Sequence, residues 1–319
     1  MTEERQVPAA EFRSYYGRPI LKVTRWREPH LPAYLFLGEL SGAAAVLGAF
    51  ATATGRPSLA RVGRVTAAAA AAAGSGFLVA ELGRPERFLN MLRVAKPTSP
   101  MSMGSWALTA HTGLSSAAAA SAVTGWLPRL GAAAGAGAAL TGPVVATYPG
   151  ALLSNTAVPA WHNAHRELPL LFAGGALTSA AAACLAVDAL PGSRPGFGPA
   201  RRLAVIGAVV ENAAGLALER VPGPAGDPYR RGESGRLLRG ARGMTLAGGV
   251  AALFARRSRT ARVASAALLY GGGLAAKFGV LRAGVESGRD PSYVVGEQRA
   301  RITSAATADH SGRRTARSV

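Results

Sequence analysis

Residues 97–128, PTSPMSMGSWALTAHTGLSSAAAASAVTGWLP, contain no Lys, Arg, Asp or Glu. After the single Arg129, neither do residues 130–165, LGAAAGAGAALTGPVVATYPGALLSNTAVPAWHNAH. Each run exceeds the roughly 20 apolar residues that a helix needs to cross a bilayer. Residues 168–187, LPLLFAGGALTSAAAACLAV, form a third run of the same kind. A soluble chain of 319 residues would distribute its charges along every helix, so the pattern predicts an all-α, polytopic membrane bundle. The mean hydropathy is only +0.18 because Ala and Gly stand where Leu or Val is more usual. Small residues suit this setting, since membrane helices are held by close backbone approach rather than by a hydrophobic force between them.

Working outward from these runs, the sequence predicts about eight spans, at residues 32–54, 62–82, 101–126, 130–154, 170–190, 203–218, 244–254 and 263–281. The first carries Gly38 and Gly42, a GxxxG pair suited to close helix contact. The seventh is the shortest, and crosses only if flanking arginines snorkel or the segment is partly re-entrant. Residues 1–30 read as a polar N-terminal segment, 31–288 as the membrane domain and 289–319 as a polar, basic tail. The first thirty residues are too polar for a cleavable signal peptide.

Between the second and third spans lies ELGRPERFLNMLRVAKPTSPMSMGSW (residues 81–106), where charges, prolines, methionines and a tryptophan crowd together. Span parity puts this loop, both termini and the NTAVPAWHNAHRELP stretch (residues 155–169) on one face. That face holds most of the Lys and Arg, so the positive-inside rule predicts cytoplasmic termini.

Ionisable residues inside spans are functional candidates because burying them is costly. Glu39, Glu81, His111, Glu211 and Lys277 qualify. At 1.5 Å per residue, Glu39, His111, Tyr148 and Lys277 fall on the order of 8–15 Å below the terminus-bearing face. This predicts a polar pocket beneath the 81–106 loop, with Glu39, Glu81 and His111 handling protons and a quinone headgroup as a fitting occupant. Plainer roles compete: Glu39 and Lys277 neutralising one another, His111 packing, Tyr148 or Trp161 and His162 anchoring at the interface, and Glu211 with Asn212 making a polar helix contact.

Composition also excludes chemistries. The net charge is +19, but the arginines cluster briefly between apolar runs with few aromatics, which does not read as nucleic-acid binding. Cys184, the single cysteine, cannot hold an iron–sulfur cluster. Of five histidines only His111 lies deep in a span, which argues against haem. No metal site and no Walker loop are predicted.

LGRPERFLNMLRVAKPTSPMSMGSW, YPGALLSNTAVPAW, and YYGRPILK followed by PAYLFLGELSGAAA together resemble the NrfD or PsrC membrane subunits of the polysulfide reductase type. The resemblance is strong over residues 14–180 and looser beyond. It implies a haem-free anchor that exchanges electrons between a membrane quinone, menaquinone above all, and an iron–sulfur subunit serving a molybdopterin catalytic subunit. Tyr148 matches a tyrosine that the family places near the quinone and is the one residue the resemblance carries over; Trp161 and His162 are further quinone candidates from their place in the 155–169 loop alone. Arg84, Arg87, Arg93 and Lys96 would face an acidic iron–sulfur partner, on a connection stiffened by Pro97 and Pro100. Glu39 departs from the small residue expected in that span. A transporter using Glu39, Glu211 and Lys277 is the competing reading. Such proteins often contain internal repeats, and no clear repeat is visible between the halves.

Overall fold

The computed structural model describes residues 21, 26–84, 86–193 and 196–295. The SYYGRPILK stretch, except for Leu21, and most of the basic tail lie outside the described residues. Among these residues there are helices and no strands. In chain order the helices are α1 (His30–Ala53), α2 (Pro57–Glu81), α3 (Glu86–Met91), α4 (Pro100–Thr124), α5 (Pro128–Ser154), α6 (Pro159–Asn163), α7 (Glu167–Asp188), α8 (Gly198–Glu219), α9 (Asp227–Arg230), α10 (Gly232–Phe254) and α11 (Arg259–Arg289). A 3₁₀ turn, Pro224–Gly226, precedes α9.

Eight of these helices are long, in agreement with the expected number of spans. Five of them, α1, α2, α5, α7 and α11, are long and apolar enough to cross a membrane. Their boundaries follow ordinary chemistry. Proline opens α2, α4 and α5, where the missing N–H would be unsatisfied anyway. Ser99 and Ser258 cap α4 and α11 by accepting from Ser102 and Ala261. Gly125, at φ 77°, closes α4 in the left-handed conformation and turns the chain into α5 within a few residues.

The expected short seventh span is corrected. Helix α10 begins at Gly232 and has 23 residues, about 34 Å of helix. Its first half carries Arg236, Arg239 and Arg242. Arg242 is matched by Glu219 of α8 at 3.0 Å, and Arg239 donates to the Arg230 carbonyl. Partner groups from neighbouring segments make that half compatible with a packed helix.

The halves repeat one packing plan. In the first, α1 packs on α2 and α5, and α4 packs on α2 and α5. In the second, α7 packs on α8 and α11, and α10 packs on α8 and α11. The two four-helix units meet through α1 and α5 against α7 and α11. Leading helices also correspond in sequence, GELSGAAA (residues 38–45) beside GALTSAAA (residues 175–182). No clear repeat is visible between the halves of the sequence because only this short, small-residue motif is shared; what the halves share is the plan of helix packing.

Close contacts use glycine as the GxxxG pair predicted. A Cβ on Gly42 would stand 2.2 Å from the Gly142 carbonyl oxygen of α5, so only hydrogen fits there. Gly38, one turn away on the same face, looks onto the Val145 carbonyl. The terminus-bearing end is laced across both units. The Trp161 N–H donates to the Val280 carbonyl at 2.8 Å, Tyr229 donates to the Ala160 carbonyl at 2.9 Å, and the Ala160 N–H donates to Ser287 at 3.2 Å.

Candidate functional site

Helix α1 organises the site because its faces look in different directions. Tyr34, Gly38 and Gly42 recur every four residues and form the face that meets α5. Along this antiparallel contact Gly42 meets Gly142, Gly38 meets Val145, and Tyr34 reaches Tyr148. The Tyr148 ring is half-buried against Gly104 of α4, where a Cβ would lie 2.2 Å from ring atoms. Gly104 belongs to the PMSMGSW stretch, so the loop motif and the YPGALL motif build one place. It is a pair of phenols at the junction of α1, α4 and α5.

Ser41 points from another side of α1 into the first unit. Its hydroxyl donates to the Ala67 carbonyl of α2 at 2.7 Å and lies 2.9 Å from His111 Nε2. His111 Nδ1 lies 2.9 Å from Thr141 of α5, whose hydroxyl also has helix carbonyls of Gly137 and Ala138 in reach. The fully buried imidazole thus bridges α1 and α5 from α4. When both hydroxyl protons rest on carbonyls, both ring nitrogens must donate; a neutral ring requires one hydroxyl to turn its proton toward the imidazole.

Glu39 points the third way, into the boundary between units. Its carboxylate lies 2.7 Å from Lys277 Nζ of α11, and both side chains have no exposure. Lys277 also sits over the Phe172 ring of α7, 4.4 Å from its centroid. Gly175 makes room for the pair, since a Cβ there would stand 2.9 Å from Glu39 Oε2 and 3.0 Å from Lys277 Nζ. Glu211 of α8, also buried, accepts from Thr178 at 2.9 Å and lies within electrostatic reach of both charges. Its neighbour Asn212 donates to Thr245 of α10 at 3.0 Å. Two carboxylates therefore share one lysine, and a neutral cluster contains one additional proton.

The single pocket expected beneath the loop is thus corrected to three places around α1: the phenol pair, the imidazole bridge and the ion cluster. The reason is angular. Residues 39 and 41 are two positions apart on a helix and cannot face the same neighbour.

The remaining candidates lie at the loop-bearing end. Glu81 accepts the Arg27 backbone N–H at 2.9 Å and stands 3.9 Å from His30. His162 is exposed and donates from Nδ1 to the Ser154 carbonyl at 3.1 Å. Trp161 is fully buried, stacks on Trp26 at 5.2 Å, and is turned toward α11, where only a glycine at 284 leaves room for its indole. Arg84, Arg87, Arg93 and Lys96 are exposed, and none pairs with a carboxylate among the described residues. Ser102 ties this loop to α4 by donating to the Val94 carbonyl and accepting from the Lys96 N–H. Glu28, ahead of the first span, is gripped by Arg282 with two bonds of 2.7 and 2.8 Å, and Arg282 also meets Glu233; the guanidinium holds the Glu28 carboxyl below the usual range. No group of His, Cys, Asp or Glu among the described residues is arranged to hold a metal ion.

A family model described as Polysulphide reductase, NrfD matches residues 24–198, more than half of the chain. The chain belongs to the NrfD family. This NrfD protein is accordingly a membrane subunit of the polysulphide reductase type. No curated protein matches it. The matched residues take in the whole first unit and α7, hence Tyr34, Tyr148, His111 and Glu39, but neither Glu211 nor Lys277. Sequence reasoning missed Tyr34, although its spacing of four from Gly38 marked the face it shares with the GxxxG pair.

Proposed function

We propose that this NrfD subunit is the quinone-interacting anchor of a multisubunit oxidoreductase, passing electrons between membrane quinone and a docked iron–sulfur subunit that serves a molybdopterin subunit. The observation that carries the reading is the Tyr34–Tyr148 pair, set against Gly104 directly inside the loop that presents four exposed cations. The fit to a quinone headgroup is chemical: a half-buried phenol offers a hydroxyl donor in an otherwise apolar setting. Quinone, when bound, supplies the two-electron, two-proton carrier; menaquinone is the form proposed.

Tyr148 orients the headgroup by donating to a carbonyl oxygen, and Tyr34 fixes the direction of that phenol. His111 and Glu39 hold protons at the imidazole and carboxylate in separate compartments on either side of α1, while Glu81 serves the loop-bearing end. Trp161 and His162 stabilise that end near the headgroup. Arg84, Arg87, Arg93 and Lys96 recruit an acidic iron–sulfur protein, as charge complementarity favours. Cytoplasmic termini, by the positive-inside rule, put the docked partner on the cytoplasmic side.

The test is Tyr148→Phe in the assembled complex. Loss of one hydrogen bond of about 1–1.5 kcal/mol predicts about a tenfold slower quinone-linked electron transfer, with assembly retained. An unchanged rate in both Tyr148→Phe and Tyr34→Phe removes this site.

A second reading rests on one specific observation. Glu39, Lys277 and Glu211 lie where two like-folded units meet, a place where transporters built from repeats bind their coupling ions. In that reading the cluster moves a proton. Glu39→Gln would then abolish proton uptake by reconstituted vesicles while leaving electron transfer to a soluble acceptor intact.

A further inference from the structure

From the middle of the bundle toward the end opposite the 81–106 loop, an apolar groove of about 520 Å³ runs between the two units. Its walls come from α1 (Gly42, Val46, Phe50), α5 (Pro143), α7 (Ala173) and α8 (Ile206). Val46, Phe50 and Ile206 are exposed along it, so it is open to the side of the bundle. Among the described residues, the charged side chains lining it are Arg56 and Arg202. Arg56 also lines a neighbouring cavity of about 740 Å³, whose polar lining includes Arg61, Arg64, Thr52, Ser58 and Ser193.

This arrangement has an unusual charge balance. Among the described residues, four arginines and no carboxylate line the two cavities. Arg64 spends one amino group on Thr52 at 3.0 Å, yet its Nε is buried without a partner among the described residues. The nearby Asp188 faces Arg201 and Arg262 instead. Helices α2 and α8 both begin here, adding the positive ends of their dipoles. A groove with such a head and an apolar body fits one class of ligand, an anionic amphiphile lying along the bundle.

We propose that this end holds an anionic phospholipid, with its phosphate at Arg56 between Arg64 and Arg202 and one acyl chain in the groove. Because the walls come from both four-helix units, the acyl chain fastens them together along the seam between α1, α5, α7 and α8. The inference is independent of the quinone reading and involves none of its residues.

The experiment uses the full chain, purified in detergent and stripped of lipid, then titrated with phosphatidylglycerol or with phosphatidylcholine of the same chains. Bound lipid is counted by native mass spectrometry. Phosphatidylglycerol should be retained about tenfold more tightly, as charge-assisted bonds to the guanidiniums require. Arg56→Gln with Arg202→Gln should bring the two lipids to equal retention, whereas Arg129→Gln, on the same face, should leave the preference intact. Ala173→Phe, which fills the groove and spares the arginines, should weaken both lipids. Equal retention by the parent protein, or an undiminished preference in the double arginine variant, overturns the proposal. Displacement of phosphatidylglycerol by inorganic phosphate at equal concentration also overturns it, marking a free-anion site in which the groove plays no part.

Discussion

Removing the lysine at position 277 should do more damage than removing its carboxylate partner. At 2.7 Å and an effective dielectric of about 20, the gross Glu39–Lys277 attraction is about 6 kcal/mol. Desolvation of two fully buried charges offsets much of that, so the pair adds little net stability, but breaking it strands a charge at a cost of about 3–5 kcal/mol. Glu211 makes the two breaks unequal. In Glu39→Gln the lysine keeps one carboxylate within reach, whereas Lys277→Met leaves two carboxylates and no cation. Lys277→Met should therefore fall at or above the upper end of that range and Glu39→Gln near or below the lower end. The double variant should lose no more than Lys277→Met alone, which corresponds to a coupling energy of about 3 kcal/mol. Reversible unfolding by a denaturing detergent in mixed micelles, applied to all four proteins, measures the cycle. Additive single effects, or a Glu39→Gln penalty equal to that of Lys277→Met, would refute the argument that one lysine serves both carboxylates.

Three further outcomes follow from particular contacts. Gly104→Ala places a Cβ 2.2 Å from the Tyr148 ring, so it should slow quinone-linked turnover about as much as Tyr148→Phe while leaving the phenol present; normal turnover would show that ring position is immaterial. His111→Leu should cost about 1–3 kcal/mol in the same unfolding assay, less than Lys277→Met, because Ser41 and Thr141 keep helix carbonyls as acceptors. Glu28 is bound in its ionised form by Arg282, so its contribution is complete above the ordinary carboxylate range and fades as pH falls through and below it. With about a third of that side chain exposed, the difference between parent and Glu28→Gln should stay below about 1 kcal/mol at neutral pH and vanish once the pH has fallen below the lowered folded-state range of Glu28.

The spans were legible where charge was absent. Helices α4, α5 and α7 coincide with the three charge-free runs because a segment that must meet lipid or small-residue neighbours excludes unpaired charge. Helix α10 was read too short because Arg236, Arg239 and Arg242 look like a loop until Glu219 and the Arg230 carbonyl are seen beside them. Buried candidates were correctly found by their cost, but not grouped, since depth along a helix axis says nothing about direction around it. Glu39 and Lys277 were paired as one reading had it. His111 was set apart by Ser41, a residue whose role depends on partners 26 and 70 positions away. Tyr34 carried a readable signal in its four-residue spacing, whereas the repeat did not, because Glu39 stands where the second unit has Ala176.

The two-unit plan has a consequence for how such a chain is put into a membrane. Each unit contains four long helices, so each starts and finishes on the same side, and the second enters in the same orientation as the first. A duplication or loss of one whole unit would leave the sidedness of everything else unchanged. A three- or five-helix unit lacks that freedom, since copying it in tandem would invert the copy.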